Sequence, residues 1–170
     1  VRQTLVGPIQ EWARASAVGW ASPVEICDLG VTEALRLAAL RALDQAGRQV
    51  ASQGSAPLGG ILLDGKHDYL SGDTPSLFTS ATRGPADPWA EGPGALPVAT
   101  MVKADRHSVA VAAASIIAKV ARDTYMESIA DPGYGWASNK GYGSKRHIQG
   151  LEKLGPSKRH RLSWRLPGVN

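Results

Sequence analysis

Two aspartates each close a short apolar run: Gly59–Leu63 leads into Asp64, and Val98–Lys103 is followed by Asp105. Apolar runs of this length read as buried strands. An acid at the carboxyl end of such a strand stands at the edge where open α/β sheets place their ligand sites. Two carboxylates held there form a hard, oxygen-rich pocket suited to Mg2+ or Mn2+. Two such ions close together could orient a water and stabilise both the attacking and the leaving oxygen of a phosphodiester. An aspartate after a strand is also a common turn or cap residue, so the pair alone does not define a site.

The segment Asn139-Lys140-Gly141-Tyr142-Gly143-Ser144-Lys145 adds a second kind of chemistry. Its glycines let backbone approach a ligand, and Lys140 and Lys145 can meet phosphates. Ser144 opens a helix whose first amides favour an anion. Tyr142 can stack on a sugar or base, or hydrogen-bond a 2′-hydroxyl, the group that separates RNA from DNA. The bland reading is a glycine-rich turn around a packed tyrosine. His67 and His107 flank the aspartates, but a hard-cation site prefers oxygen and no paired-histidine spacing occurs, so both read as solvated loop residues. Trp12, Trp20 and Trp136 read as packing residues.

Charge is unevenly spread along the 170 residues. From Asn139 onward eight lysines and arginines face a single glutamate, whereas the rest carries eleven basic residues against fourteen acidic ones. A basic end beside a mildly acidic body suits a polyanion-binding surface, although a solvated helix face with a charged tail would look similar. The lone Cys27 excludes an internal disulfide and a cysteine-rich zinc site. Arg2, Pro8 and Glu11 near the start give no support to a secretion signal, and Ser108–Ala118 is too short to span a bilayer. A reducing, cytoplasmic setting is expected.

The elements that must position these residues follow from caps and periodicity. A helix interrupted near Pro8 is expected over Val1–Ser16, then a short strand at Ala17–Ala21. Ser22-Pro23-Val24-Glu25 has the form of a capping box with proline at the first helical position. Thr32–Ala46 reads as a helix stopped by Gly47. Residues 65–97, rich in Gly, Pro, Ser and Thr, form a long loop or insertion. The longest helix is expected from Ser108 to about Ile129, with small residues at Ala112–Ser115 and Ala118 allowing close approach. Pro132-Gly133-Tyr134-Gly135 breaks the chain, and a last helix runs from Ser144 to Leu154-Gly155-Pro156. The expectation is one α/β domain.

The stretch Val102-Lys103-Ala104-Asp105, then Val111-Ala112-Ala113-Ala114-Ser115-Ile116-Ile117-Ala118-Lys119-Val120-Ala121-Arg122-Asp123, resembles the signature helix of the ribonuclease HII family. Pro132-Gly133-Tyr134-Gly135-Trp136, Asn139-Lys140-Gly141-Tyr142-Gly143 and Leu154-Gly155-Pro156-Ser157-Lys158-Arg159-His160-Arg161 follow in the family's order, and Leu63-Asp64-Gly65 resembles its upstream strand end. The resemblance is strong over Met101–Trp164 and fainter from Val1 to Gly65. It implies a ribonuclease H-like α/β fold, with residues 132–170 as a basic substrate-binding segment. It implies Mg2+- or Mn2+-dependent endonucleolytic cleavage of the RNA strand of RNA–DNA hybrids and at ribonucleotides embedded in duplex DNA, by a monomer serving DNA replication and repair. Asp64 and Asp105 become catalytic metal ligands. Tyr142 becomes the reader of the ribonucleotide, with Lys140, Ser144 and Lys145 beside it on the substrate. Lys119, Arg122 and Asp123 belong to the helix motif as structural residues.

Departures from the family pattern qualify this. The Asp-Glu-x-Gly-Arg-Gly motif, which supplies the other two carboxylates, occurs nowhere in these residues, as though the family's N-terminal strands were missing. Two remaining acids should hold metal weakly, which makes an inactive fragment one expectation for the chain by itself. Residues 65–97 are longer than the family usual, and Ala104 replaces a frequent glycine, a change expected to be mild. Two rivals differ in class: a noncatalytic nucleic-acid-binding module, and another metal-dependent phosphotransferase on the same fold.

Overall fold

The computed structural model describes residues 2–71 and 96–169. It is an α/β arrangement of helices around a small parallel sheet. Strand β1 (Ile61–Asp64) pairs in parallel with β2 (Val98–Met101), with Asp64 opposite Met101. Both strands are shorter than their apolar runs: β1 starts at Ile61, and β2 ends before Lys103, which takes a left-handed conformation (φ 58°). Most of the 65–97 loop lies outside the described residues.

After a 3-10 turn at Gln3–Leu5, helix α1 (Val6–Trp12) carries Pro8 without interruption. Pro8 lies in the first turn, where its missing N–H costs nothing. No strand forms at Ala17–Ala21. The preceding extended chain instead finds its partners in side chains: Gln49 accepts the Ser16 amide at 3.1 Å and donates to the Ser16 carbonyl at 3.2 Å, and Gln53 donates to the Arg14 carbonyl. A glutamine amide thus stands in for a neighbouring strand.

Helix α2 (Pro23–Ser52) begins with the expected capping box: Ser22 Oγ accepts the Glu25 amide, and Glu25 Oε2 accepts the Ser22 amide at 2.8 Å. Gly30 breaks it with φ 78° and ψ 169°, so it is two helices joined at a kink. Gly47 does not stop it. The helix continues to Ser52 because burial of Val50 and the Gln49–Ser16 bonds outweigh the roughly 1 kcal/mol that an interior glycine costs. Leu40 of α2 packs with Leu63 of β1 and Leu70, with Ile61 and Val98 against them, so the helix covers one face of the sheet.

Gly19 sets that packing distance. A β-carbon there would overlap the carbonyl oxygen of Ala38 on α2. Gly19→Ala is therefore expected to destabilise the fold by about 1–3 kcal/mol. Thermal unfolding reads this directly; an unchanged midpoint would mean the 17–21 segment does not press on α2.

Helix α3 (Val109–Ser128) is capped by Ser108, whose Oγ accepts the Val111 amide. Ala113 and Ile117 are buried, whereas Ala114, Ser115 and Ala118 of its small-residue run remain exposed among the described residues. The single turn α4 (Trp136–Asn139) and helix α5 (Lys145–Leu154) follow, with Ser144 capping α5. Tyr134, Trp136 and Leu151 form a second core, joined by Met126 and Ile129 from α3 and by Leu166 and Val169 from the C-terminal segment. Trp136 is a packing residue as expected; Trp12 and Trp20 are not, and both are exposed. No described helix is long and apolar enough to cross a membrane.

Candidate metal and nucleic-acid site

Asp64 ends β1 and Asp105 lies four residues beyond the end of β2, so the parallel pairing carries both to one edge of the sheet. The Gly65 amide extends the ladder by donating to the Met101 carbonyl at 2.9 Å. The left-handed turn at Lys103 then aims the Ala104 amide at Asp64 Oδ1, 2.9 Å away. The Asp64 carboxylate is therefore oriented by the residue preceding Asp105. A non-glycine residue held left-handed costs of order 1 kcal/mol, and here the cost sits at the candidate site. Ala104 is fully buried in the 3-10 turn Ala104–Arg106 and is not left-handed, so a methyl where the family often has glycine is tolerated.

Both aspartates are exposed, and His67 and His107 are exposed loop residues as expected. Among the described residues no third His, Cys, Asp or Glu joins them in a metal-sized cluster. The donor set fits Mg2+ in its common protein mode, in which one or two carboxylates hold the ion and waters and substrate phosphates complete its shell. It does not make an all-protein cage.

The Tyr142 loop is built from α4 and the cap of α5. Lys140 is left-handed (φ 53°), as is Gly141 (φ 81°), and this turn projects Tyr142 into solvent at 63% exposure. Asn139 organises the loop: its Nδ2 donates to the Tyr134 carbonyl (2.7 Å) and to Ser144 Oγ (3.2 Å), while its Oδ1 accepts the Gly141 amide (2.9 Å). Ser144 Oγ also accepts the His147 amide, so its role is to cap α5. Lys140 differs from expectation. Its ammonium binds Glu127 at 2.5 Å and the Ala137 carbonyl, stapling the loop to α3 rather than facing outward. Lys145 is exposed with no carboxylate partner among the described residues, which leaves it as the loop's available cation.

Arg122, read from sequence as structural, touches Tyr142 directly. Its Nη1 donates to the Tyr142 hydroxyl at 2.8 Å, and its guanidinium lies 4.7 Å from the ring centroid. Asp123 accepts from Arg122 Nη2 at 2.8 Å and is paired with Lys119. Those cations hold its carboxyl below the usual range, Lys119 foremost. Because Arg122 spends its donor on the phenol oxygen, the phenol's own proton is free to point outward. The structure does not bring this loop and the aspartates into contact through any described hydrogen bond or ion pair; α3 connects them, with Arg122 about 20 Å along the helix axis from Ser108.

A histidine pair also escaped the sequence reading. His147 Nε2 and His160 Nε2 lie 3.2 Å apart, with 6% and 8% exposure, beneath the stacked rings of Tyr134 and Trp136. The available signal was periodicity: His147, Gly150 and Leu151 share one helix face, the face that is buried.

Residues 90–166 match the family described as Ribonuclease HII. A ribonuclease HII of Streptomyces avermitilis is 40% identical over 167 residues, covering 96% of this chain and 58% of that protein. One from Streptomyces coelicolor is 39% identical with the same coverage. One from Caulobacter vibrioides is 55% identical over 71 residues, 40% of this chain and 33% of that protein. The chain thus spans less than two thirds of the length of these curated relatives. The similarity to the two Streptomyces proteins covers almost the whole chain, and the chain belongs to the ribonuclease HII family.

Proposed function

We propose that the chain acts as a metal-dependent endoribonuclease on the RNA strand of RNA–DNA hybrids and at ribonucleotides embedded in duplex DNA. The observation that carries this reading is the Asp64 carboxylate, oriented by the Ala104 amide beside Asp105 at one sheet edge. Mg2+ or Mn2+ bound there would supply positive charge at the scissile phosphodiester. Asp64 and Asp105 would hold the ion. Lys145 and the first amides of α5 would bind a backbone phosphate. Tyr142, gripped by Arg122, would offer its hydroxyl to the 2′-oxygen and its ring to the sugar.

The test pairs cleavage with binding. A labelled RNA–DNA hybrid, a duplex with one ribonucleotide and an all-DNA duplex are incubated with Mg2+ or Mn2+. Cuts leaving 5′-phosphates on the first two alone are expected. Tyr142→Phe should lower the preference for the ribonucleotide-containing duplex over DNA about five- to ten-fold, the worth of one hydrogen bond to the 2′-hydroxyl. Salt-sensitive binding to all three duplexes without cleavage at saturating Mn2+ would favour the noncatalytic binding module instead.

A further inference from the structure

Beyond the Tyr142 loop, a second set of aromatic and basic side chains shares the outer surface of α3 and the C-terminal segment. Tyr125 lies one turn after Arg122 on α3 and is 44% exposed. Its ring meets Trp20, 43% exposed, at a centroid distance of 5.4 Å, and its hydroxyl accepts from Arg159 Nη1 at 2.9 Å. Trp20 is itself pinned by Arg41, which donates to its carbonyl at 2.6 Å. Two residues further along the C-terminal segment, the Arg161 guanidinium lies 4.5 Å over the ring of Trp164, 45% exposed. The Ser163 amide meets Cys27 Sγ at 3.5 Å, which fixes this stretch on α2.

Between the two arginines sits buried His160, locked to His147. Burying the middle residue turns Arg159 and Arg161 outward, and each rests on an exposed aromatic ring or its hydroxyl. Neither has a carboxylate partner among the described residues, and exposed Lys158 and Arg165 add to the positive charge. Of the acids on α2 near Cys27, Asp28 adjoins it in sequence and Glu25 is paired with Arg41 at 2.6 Å. A surface that leaves three large aromatics in water and interleaves them with guanidinium groups lacking described carboxylate partners is suited to unstacked bases on a phosphate backbone. Bases in an intact duplex present no free face to such rings, so the chemistry selects an unpaired strand.

We propose that Trp20, Tyr125 and Trp164, with Arg159 and Arg161, form a binding surface for single-stranded nucleic acid, engaging an unpaired strand that adjoins the duplex. This rests on the nuclease reading only for its context; the surface itself does not use Asp64, Asp105 or Tyr142. The probe is an oligothymidylate of about 16 nucleotides, followed by quenching of the intrinsic tryptophan fluorescence. Binding that quenches fluorescence and weakens steeply with salt is expected, and Tyr125→Ala should lower oligothymidylate affinity about ten-fold while hybrid-duplex affinity stays within about two-fold. Arg159→Glu, an exposed change that cannot disturb the core, should lower oligothymidylate affinity at least as much. If wild-type protein binds the hybrid duplex but not oligothymidylate, or if neither variant changes oligothymidylate affinity, this surface is refuted while the nuclease reading stands. Wild-type protein that binds oligothymidylate but no hybrid duplex would refute the nuclease reading and keep the surface.

Discussion

Asp64→Asn is expected to cut metal-dependent cleavage of an RNA–DNA hybrid about a thousand-fold while leaving the fold and hybrid binding intact. The two halves of this prediction come from different atoms. Ion binding at the sheet edge needs the negative charge of the carboxylate, and loss of the ion's charge stabilisation costs several kcal/mol in the transition state. The local fold needs only an oxygen acceptor for the Ala104 amide, and an asparagine Oδ1 supplies it. Asp64→Ala removes both, so it should add a drop in unfolding temperature that the asparagine variant lacks. Asp105→Asn should match the loss of turnover, because Asp105 is exposed and has no described hydrogen-bond partner to lose. Mn2+ affinity measured by paramagnetic resonance gives a readout independent of turnover and should fall in both asparagine variants. Retention of wild-type cleavage by either would remove the strand-end aspartates from the chemistry.

What could be read from the amino-acid sequence divides by the range of the interactions. Ser22 and Ser144 cap their helices as expected, and Ser108 caps the long helix expected to begin there, because a cap is decided within four residues. Asp64 was equally legible as a strand end, since an apolar run followed by an acid marks where the chain emerges, whereas Asp105 lies four residues past β2 in a 3-10 turn. Apart from Pro8, whose place in the first turn of α1 is a local matter, the failures involve distant partners. Gly47 has no stop signal to deliver once Gln49 is bonded to a residue 33 positions away. Ala17–Ala21 looked like a strand because its apolar composition cannot reveal that the adjacent chain takes glutamine side chains as partners. In the site, Tyr142 was recognisable by its glycine flanks, but the Arg122 grip depends on a loop returning to a helix 20 residues upstream. Lys140 was legible as a cation, yet only the fold shows Glu127 waiting for it.

The histidine pair should make the C-terminal segment acid-labile, with the loss beginning near neutrality. The Ser157 amide donates to His160 Nδ1 at 3.0 Å, so the proton of neutral His160 resides on Nε2 and points at His147 Nε2. His147 then keeps its own proton on Nδ1, a buried nitrogen without a described partner. An added proton on His147 Nε2 would face the His160 N–H, and one on His160 Nδ1 would displace the Ser157 amide bond, with the Ser157 carbonyl 3.2 Å away to accept it. Burial lowers both pKa values; for His147 the neighbouring His160 lowers it further while Asp131 opposes, and for His160 the Ser157 carbonyl, able to accept from Nδ1, opposes. A histidine with a depressed folded pKa binds fewer protons folded than unfolded. Stability is therefore complete above the unfolded value of 6.5 and declines as pH falls below it, by up to about 2.7 kcal/mol per pH unit for two protons. Asp131 acts in a separate, more acidic window. Burial works to raise its pKa, but amides from Gly133, Tyr134 and Trp136 outweigh that and lower it, so its contribution persists well below the histidine range. Thermal unfolding and amide exchange of residues 155–165 should show a plateau above pH 6.5 and weakening between pH 6.5 and 5. In a His147→Leu, His160→Leu variant the neutral-pH stability should be lower and the slope in that interval absent, with exposed His67 and His107 retained as internal controls. An unaltered slope in the double variant would assign the acid sensitivity elsewhere. A flat wild-type profile would mean the buried pair accepts its proton without opening, and that the latch holding Arg159 and Arg161 in place is indifferent to pH.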